Sequence, residues 1–383
     1  MKILILGNST KSLFTHRAEL LDELLLQKFQ IVISTPIDDE NYVAKKNIKN
    51  QMIQEMELKG VKHIETDIDR RGVNPIKDIF LILKYISIIK KEKPEIILSY
   101  TIKPNIYGGM VARFLGIEYI NNITGLGTSL QGNGLLTKLL KQMYKISFKN
   151  SKCIFFQNET NMNFFLNNKL INKKINKIKL IPGSGVNLKR YYPKSKKTNN
   201  LQKKILFIGR IMKEKGIKEY LEVAQKIKKE YKNIVEFQIL GAYEEEEYKN
   251  QIKELEKKSI VKYLGVSKDI REQLKEVDCV INPSWHEGMS NVLLESGAMK
   301  KFLIASEIPG CKEIVINNRT GLTFKVKNSD DLEKKIKKYI NMDDERKKII
   351  IEELYTHISS NFCREKIIEE YMETIKVVRK NEY

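Results

Sequence analysis

The chain has 383 residues, 42% of them apolar and 31% charged, and a net charge of +21. That length suits two domains of ordinary size, and that balance of apolar to charged residues excludes a disordered chain. The four cysteines, Cys153, Cys279, Cys311 and Cys363, form no CxxC pair, so neither a zinc site nor a disulfide framework is indicated and a reducing compartment fits. The run MKILILG enters a strand-like segment directly, without the features of a signal peptide. The longest apolar stretch, Ile79 to Ile89, is broken by Lys84 and is too short to span a bilayer, so membrane association is expected to be peripheral.

The elements follow an alternating pattern. Strands are predicted at 2–6, 30–34, 61–65, 95–100, 118–122, 153–157 and 177–181, and again at 204–209, 235–240, 261–265, 279–283 and 302–306. Most are apolar on both faces, as strands of a buried parallel sheet must be. Segments of helical length and 3.6-residue periodicity lie between them, such as HRAELLDELLLQKF (16–29) and KEYLEVAQKIKKEY (218–231). Strand and helix in alternation give doubly wound α/β sheets. The polar stretch at 183–203, with its Pro, Gly and Lys residues, reads as a linker. The predicted division is therefore an N-terminal Rossmann-like domain at 1–182, a linker at 183–203, a second Rossmann-like domain at 204–362 and a C-terminal helix at 363–383 that packs back toward the first domain.

The charge is concentrated. Ile96 to Lys204 holds 19 Lys or Arg against only Glu118 and Glu159, whereas the chain from Ile205 onward is nearly balanced, at 34 against 32. Such a field implies an anionic partner. It lacks the interleaved aromatics of a stacking platform and any recognised RNA or DNA module, so nucleic acid is not the expected partner. The segment LLTKLLKQMYKISFKN (135–150) sets Lys138, Lys141, Lys145 and Lys149 on one face and Leu135, Leu136, Leu139, Leu140 and Met143 on the other. It reads as a helix drawn to anionic lipid, with a core-facing helix as the plainer reading.

Two motifs carry the chemistry. In PSWHEGMSNVLLESGAMKK (283–301) a strand ends at Pro283, a loop carries Glu287, and a helix begins near Ser290 or Asn291 with Glu295 on its second turn. The open edge of a parallel sheet is where such folds bind ligands, and the helix start favours a diphosphate or a hydroxyl-rich sugar. In FIGRIMKEKGIKEYLEVA (207–224) a strand ends at Gly209 and a loop with Arg210 and Lys215 leads through Gly216 into a helix. Two cations beside a helix start form a diphosphate clamp, able to stabilise a leaving diphosphate without a metal.

GRxxxxKG followed by a strand, a loop and E-x7-E resembles the retaining family-4 glycosyltransferases. The resemblance runs over nearly the whole chain and implies an α/β GT-B fold, two tandem Rossmann-like domains with an interdomain cleft. It implies that Arg210 and Lys215 hold the diphosphate and that Glu287 meets donor-sugar hydroxyls. Gly209, Gly288, Met289, Ser290 and Asn291 would face sugar and phosphate, Glu295 the ribose, and Val266 and Ser267 the base. The donor would be a UDP-sugar, with no metal or other cofactor required. The stretches at 99–132 and 186–193 resemble a subset that adds N-acetylhexosamine to undecaprenyl-diphosphate-linked sugars in polysaccharide or glycoprotein-glycan assembly, which implies a polyprenyl-diphosphate-linked acceptor and a place on the inner face of the plasma membrane. Arg17, Lys103, Asn105, Gly125 and Gly127 would serve the acceptor. Ile102 stands where many relatives carry histidine, and Lys103 beside it would supply a cation instead. The alternative within the same fold is a synthase or epimerase acting on soluble sugars. The DxD at Asp67 and Asp69 lies outside the context in which that motif binds metal.

Overall fold

The computed structural model describes residues 1–37, 46–69, 72, 74–127, 130, 132, 134–193, 202–267 and 269–380, without the side chains of 46–51 and 380. The chain divides into two compact units, one of Met1–Ser184 with Lys366–Tyr383 and one of Gly185–Glu365.

The first unit runs β1 (Lys2–Leu6), α1 (Thr10–Leu26), β2 (Gln30–Thr35), α2 (Lys46–Leu58), β3 (Lys62–Glu65), α3 (Pro75–Glu92), β4 (Ile96–Tyr100), α4 (Gly109–Phe114), β5 (Glu118–Ile123), α5 (Leu135–Phe148), β6 (Cys153–Phe156), α6 (Glu159–Asn167) and β7 (Lys177–Leu180). Among the described residues its sheet has the order β3-β2-β1-β4-β5-β6-β7, and every pairing is parallel. The local reasons are legible. Ser9 caps α1 by accepting the Ser12 amide at 3.2 Å, and Leu13, Arg17, Leu20, Leu21 and Leu24 follow at helical spacing on its buried side. Asn74 caps α3 with Pro75 in its first turn, and Lys93 closes it in the left-handed conformation.

The second unit runs β8 (Lys203–Ile208), α7 (Ile217–Glu230), β9 (Val235–Leu240), α8 (Glu246–Lys257), β10 (Val261–Tyr263), α9 (Arg271–Glu276), β11 (Cys279–Asn282), α10 (Asn291–Ala298), β12 (Phe302–Ser306), β13 (Leu322–Phe324), α11 (Ser329–Asn341) and α12 (Asp344–Asn361). Its order is β10-β9-β8-β11-β12-β13, again all parallel. A last helix, α13 (Arg364–Lys380), returns to the first unit, where Ile367, Tyr371, Met372, Ile375 and Val378 share a core with β1 and α1. Lys179 on β7 reaches Glu370 and Glu373 of that helix at 2.7 Å each.

Two boundaries differ from the sequence reading. Residues 185–193, expected in the linker, are built into the second unit: Val186 bridges to Cys363, and Val186 and Tyr191 lie in its core. The β-branched Val and the aromatic Tyr find apolar partners there, which composition alone did not reveal. The rest of the linker, 194–201, lies outside the described residues. The return to the first unit falls after Glu365, not after 362.

In both units the strand order reverses direction beside the first strand, between β1 and β4 and between β8 and β11. Loops leaving two adjacent strands toward opposite sides open a crevice at such a switch point.

Candidate active site

The second unit gathers its chemistry at this point. β8 ends into Gly209 and Arg210, then a 3-10 turn, Lys213–Lys215, leads through Gly216 into α7. Gly216 is left-handed, with φ of 73°, and a Cβ there would stand 2.0 Å from the Pro283 carbonyl oxygen. Only glycine permits the turn to lie so close to the end of β11. The consequence is a direct meeting of the two motifs: Lys215 Nζ is 2.6 Å from Glu287 Oε1, and both side chains are largely buried. Arg210 remains about half exposed and faces Glu244 Oε1 at 3.6 Å.

The loop that carries Glu287 is fixed from both ends. Asn282 donates to Ser290 Oγ at 2.6 Å, and Ser290 in turn caps α10 by accepting the Leu293 amide. Trp285 donates its indole N–H to Glu219 and lies under Lys327 and Lys213, so the ring serves packing. The Ser290 amide donates to the Gly310 carbonyl, and a Cβ on Gly310, itself at φ of 84°, would meet the Gly288 carbonyl oxygen at 2.6 Å. Met289 is buried. Gly288 and Asn291 sit between these supports, at the start of α10. His286 is exposed.

Glu295 lies one turn into α10 and is 8% exposed. Burial pushes its carboxyl up to about 7, opposed by the Tyr191 hydroxyl and by Arg364 and Arg190 nearby. Arg364 is anchored on the Gly185 carbonyl at 3.1 Å. The sequence reading named Glu295 but not Tyr191, although the stretch 186–193 that holds it was part of the resemblance. It also missed Glu244, Asn282 and Gly310. Val266 is 44% exposed after β10, while the Ser267 hydroxyl is turned to the Asp269 carbonyl at 2.7 Å.

The first unit uses its switch point differently. Thr101, at the end of β4, has φ of 72°, a left-handed conformation for a branched residue. A π-helical turn, Pro104–Gly108, follows and runs into α4. Lys103, expected to present a cation to the acceptor, instead pairs with Asp78 of α3 at 2.6 Å, and each side chain is only 14% exposed. Tyr107 bonds the other oxygen of Asp78 at 2.8 Å. Asn105, expected among the acceptor contacts, is 1% exposed and bonded to Ser99, Asn121 and the Asn122 carbonyl. The turn aims it into the core, so its amide joins strands and does not face a ligand. Gly125 and Gly127 follow β5, with φ of 158° and 67°. A Cβ on Gly127 would stand 2.7 Å from Ile102 Cδ1, so the two loops lie against each other. Thr128 and Ser129 of that loop lie outside the described residues.

Arg17 reaches the same edge from α1. It is 8% exposed, and its guanidinium stands over the rings of Tyr100 and Tyr371, at 5.1 and 5.6 Å. It has no ion-pair partner among the described residues. Asp69 of the DxD sequence accepts the Gly72 amide at 2.7 Å. No helix among the described residues is long and apolar enough to cross a membrane.

Two doubly wound units in tandem, with paired cations and glutamates at the second switch point, define a class of sugar-transferring enzyme. The glycosyl transferase 4-like family model matches residues 2–158, and the model for glycosyl transferases group 1 matches residues 189–353. The chain belongs to the glycosyltransferases of the GT-B fold, a 4-like domain followed by a group 1 domain. Over 400 aligned residues spanning all of both chains it is 28% identical to the N,N'-diacetylbacillosaminyl-diphospho-undecaprenol α-1,3-N-acetylgalactosaminyltransferase of Campylobacter jejuni. It is 25% identical, over 78% of this chain and 77% of the relative, to the UDP-Gal:α-D-GlcNAc-diphosphoundecaprenol α-1,3-galactosyltransferase of Escherichia coli. A solved glycosyltransferase from Rickettsia africae shares the fold at 20% identity, with a TM-score of 0.76 over 99% of each chain.

Proposed function

We propose that this glycosyltransferase moves an N-acetylhexosamine from a UDP-sugar to a polyprenyl-diphosphate-linked sugar at an anionic membrane surface, with retention of anomeric configuration and without a metal. The observation that carries the donor half is the pairing of Lys215 with Glu287 at the second switch point, with Arg210 alongside. In the resting site these glutamates hold the cations in place. A diphosphate arriving there takes over Lys215 and Arg210 and leaves Glu287 to accept sugar hydroxyls. As the bond between the anomeric carbon and the diphosphate oxygen breaks, charge grows on that oxygen, and two fixed cations stabilise it as a divalent ion would. The acceptor hydroxyl attacks from the face the diphosphate leaves, and its proton passes to a diphosphate oxygen. Glu295 receives the ribose hydroxyls, and the loop at Val266 borders the base.

The acceptor half is supported by the two relatives, whose names give diphosphoundecaprenol-linked acceptors and α-1,3 products. Arg17 is the cation we assign to the acceptor diphosphate. A guanidinium this buried, with no carboxylate partner among the described residues, is costly unless an anion joins it. Gly125 and Gly127 let the loop after β5 approach the same ligand.

Transfer from UDP-N-acetylgalactosamine or UDP-N-acetylglucosamine to a synthetic polyprenyl-diphosphate-linked sugar, followed in EDTA, tests the proposal. Turnover with an α-linked product supports it. Turnover on free sugars alone would replace it with a soluble synthase.

A further inference from the structure

Two helices of the first unit carry apolar stripes on the wrong side. On α3, Ile76, Ile79, Phe80 and Leu83 stand 66%, 57%, 65% and 55% exposed at the spacing i, i+3, i+4, i+7, while Leu81, Tyr85, Ile88 and Ile89 fill the core. On α5, Leu135, Leu136 and Leu139 are 86%, 38% and 57% exposed, while Tyr144 and Phe148 turn inward. A helix of a soluble domain buries its stripe, and a second stripe facing solvent marks an interaction surface. Both sets occupy the N-terminal halves of their helices. In a parallel α/β sheet each helix begins at the carboxyl edge of the strand before it, so both sets stand at the edge that presents Arg17 and the Gly125–Gly127 loop. The two helices flank the π-helical turn and α4 on one face of the sheet.

The charge around these residues is mainly positive, with Asp69, 4.0 Å from Lys77, the acid beside α3. α5 contains lysines and no acid, with Lys138 and Lys145 exposed beside its leucines. Lys77 and Lys84 are exposed on α3, and Asp78, the single acid in its first half, is turned inward onto Lys103 and Tyr107. A second copy docking on the same face would set lysine against lysine, so self-pairing is disfavoured. Aliphatic tips at one edge with cations beside them match a bilayer of anionic lipid: the tips enter the acyl boundary and the ammonium groups meet headgroup phosphates.

We propose that the N-terminal halves of α3 and α5 form the membrane-docking rim of the first unit, seating its acceptor edge against anionic lipid. The proposal rests on the reading of a lipid-linked acceptor and names the surface that brings the enzyme to it.

Flotation of the full chain with vesicles tests it, using phosphatidylcholine alone or two parts phosphatidylcholine to one part phosphatidylglycerol. Wild type floats with the mixed vesicles, and added salt weakens the binding. Phe80→Ser with Leu139→Ser weakens it about tenfold or more, and Lys138→Gln with Lys145→Gln weakens it about fivefold per lysine. All these side chains are exposed, so thermal stability and its increase with UDP should remain, which separates loss of docking from loss of fold. Equal flotation of the serine variant and wild type, or no flotation of wild type at low salt, overturns the rim. So does self-association of wild type that the serine variant abolishes, which would give the face to a second copy. Turnover of a short-chain, water-soluble diphosphate-linked acceptor is measured alongside. If that turnover persists while vesicle binding is absent, the rim fails and the acceptor reading stands. If vesicle binding is lost in the variants but no UDP-sugar is ever turned over, the rim stands and the acceptor reading fails.

Discussion

The two units share one strand order and each has a switch point beside its first strand, yet they use charge there in opposite ways. At β8 and β11 two loops bring cations and carboxylates together, with Arg210 about half exposed, where a ligand can exchange partners with them. At β1 and β4 the polar groups are drawn inward: Lys103 is neutralised by Asp78, Asn105 is closed into a network of amides, and Arg17 lies over two tyrosine rings. The difference teaches that the same topology supplies a crevice twice but does not decide what fills it. On the proposed function, the second crevice serves a diphosphate that must leave and the first an acceptor that must be positioned.

That comparison is open to direct attack. The largest effect is expected at Lys215→Ala and at Glu287→Ala, each lowering kcat about 10²–10³-fold in transfer assays, as loss of one preorganised charge at a transition state does. The double variant should fall little further, since the two groups act as a pair. Next comes Arg17→Gln, predicted to lower kcat/KM for the lipid-linked acceptor about tenfold to hundredfold while UDP affinity by calorimetry stays unchanged. A loss of UDP affinity in that variant would move Arg17 to the donor.

A smaller effect tests Glu295. Burial raises its carboxyl from 4.5 to about 7. The neutral acid therefore favours the folded unit, a contribution that is full below about 4.5 and lost as pH rises through about 7. In the proposed role ribose hydroxyls donate to the carboxylate, so UDP binding would favour the ionised form and draw a proton off. UDP affinity should then rise roughly tenfold from about pH 5.5 to about pH 7.5 and be flat in Glu295→Gln. Tyr191→Phe, which removes a hydroxyl that holds the carboxyl down, should shift the rise to higher pH.

The smallest effect belongs to Lys103→Met. Breaking a mostly buried pair should cost about 1–2 kcal/mol of stability, read as a lower Tm, with turnover within about twofold of wild type at a temperature where the variant is folded. A large fall in acceptor turnover without a fall in Tm would restore Lys103 as an acceptor contact and erase the contrast between the two edges.

Much of this architecture was readable from sequence. The twelve predicted strands fall on strands of the structure because most of these runs are apolar on both faces, whereas β13 is three residues long and carries no pattern of its own. The two motifs were readable because each lies within one loop between a strand and a helix, whereas the close approach of Gly216 to Pro283 that joins them is seen only in the structure. What escaped depends on the third dimension. The pairing of Lys103 with Asp78 spans 25 positions, and nothing local says that the acid turns inward. Asn105 looked available because the π-helical turn that aims it at Asn121 leaves no mark in spacing. Tyr191 fell in a stretch read as linker, although its aromatic ring was the signal that the stretch is packed.

Isothermal titration of UDP into the full chain in EDTA, repeated with Lys215→Ala, tests the central claim most directly. The account predicts that wild type binds without metal and that the variant loses about tenfold or more in affinity, with no recovery when magnesium is added. Binding that vanishes in EDTA and returns with magnesium in both proteins would contradict it, and would give the leaving diphosphate to a metal ion in place of Arg210 and Lys215.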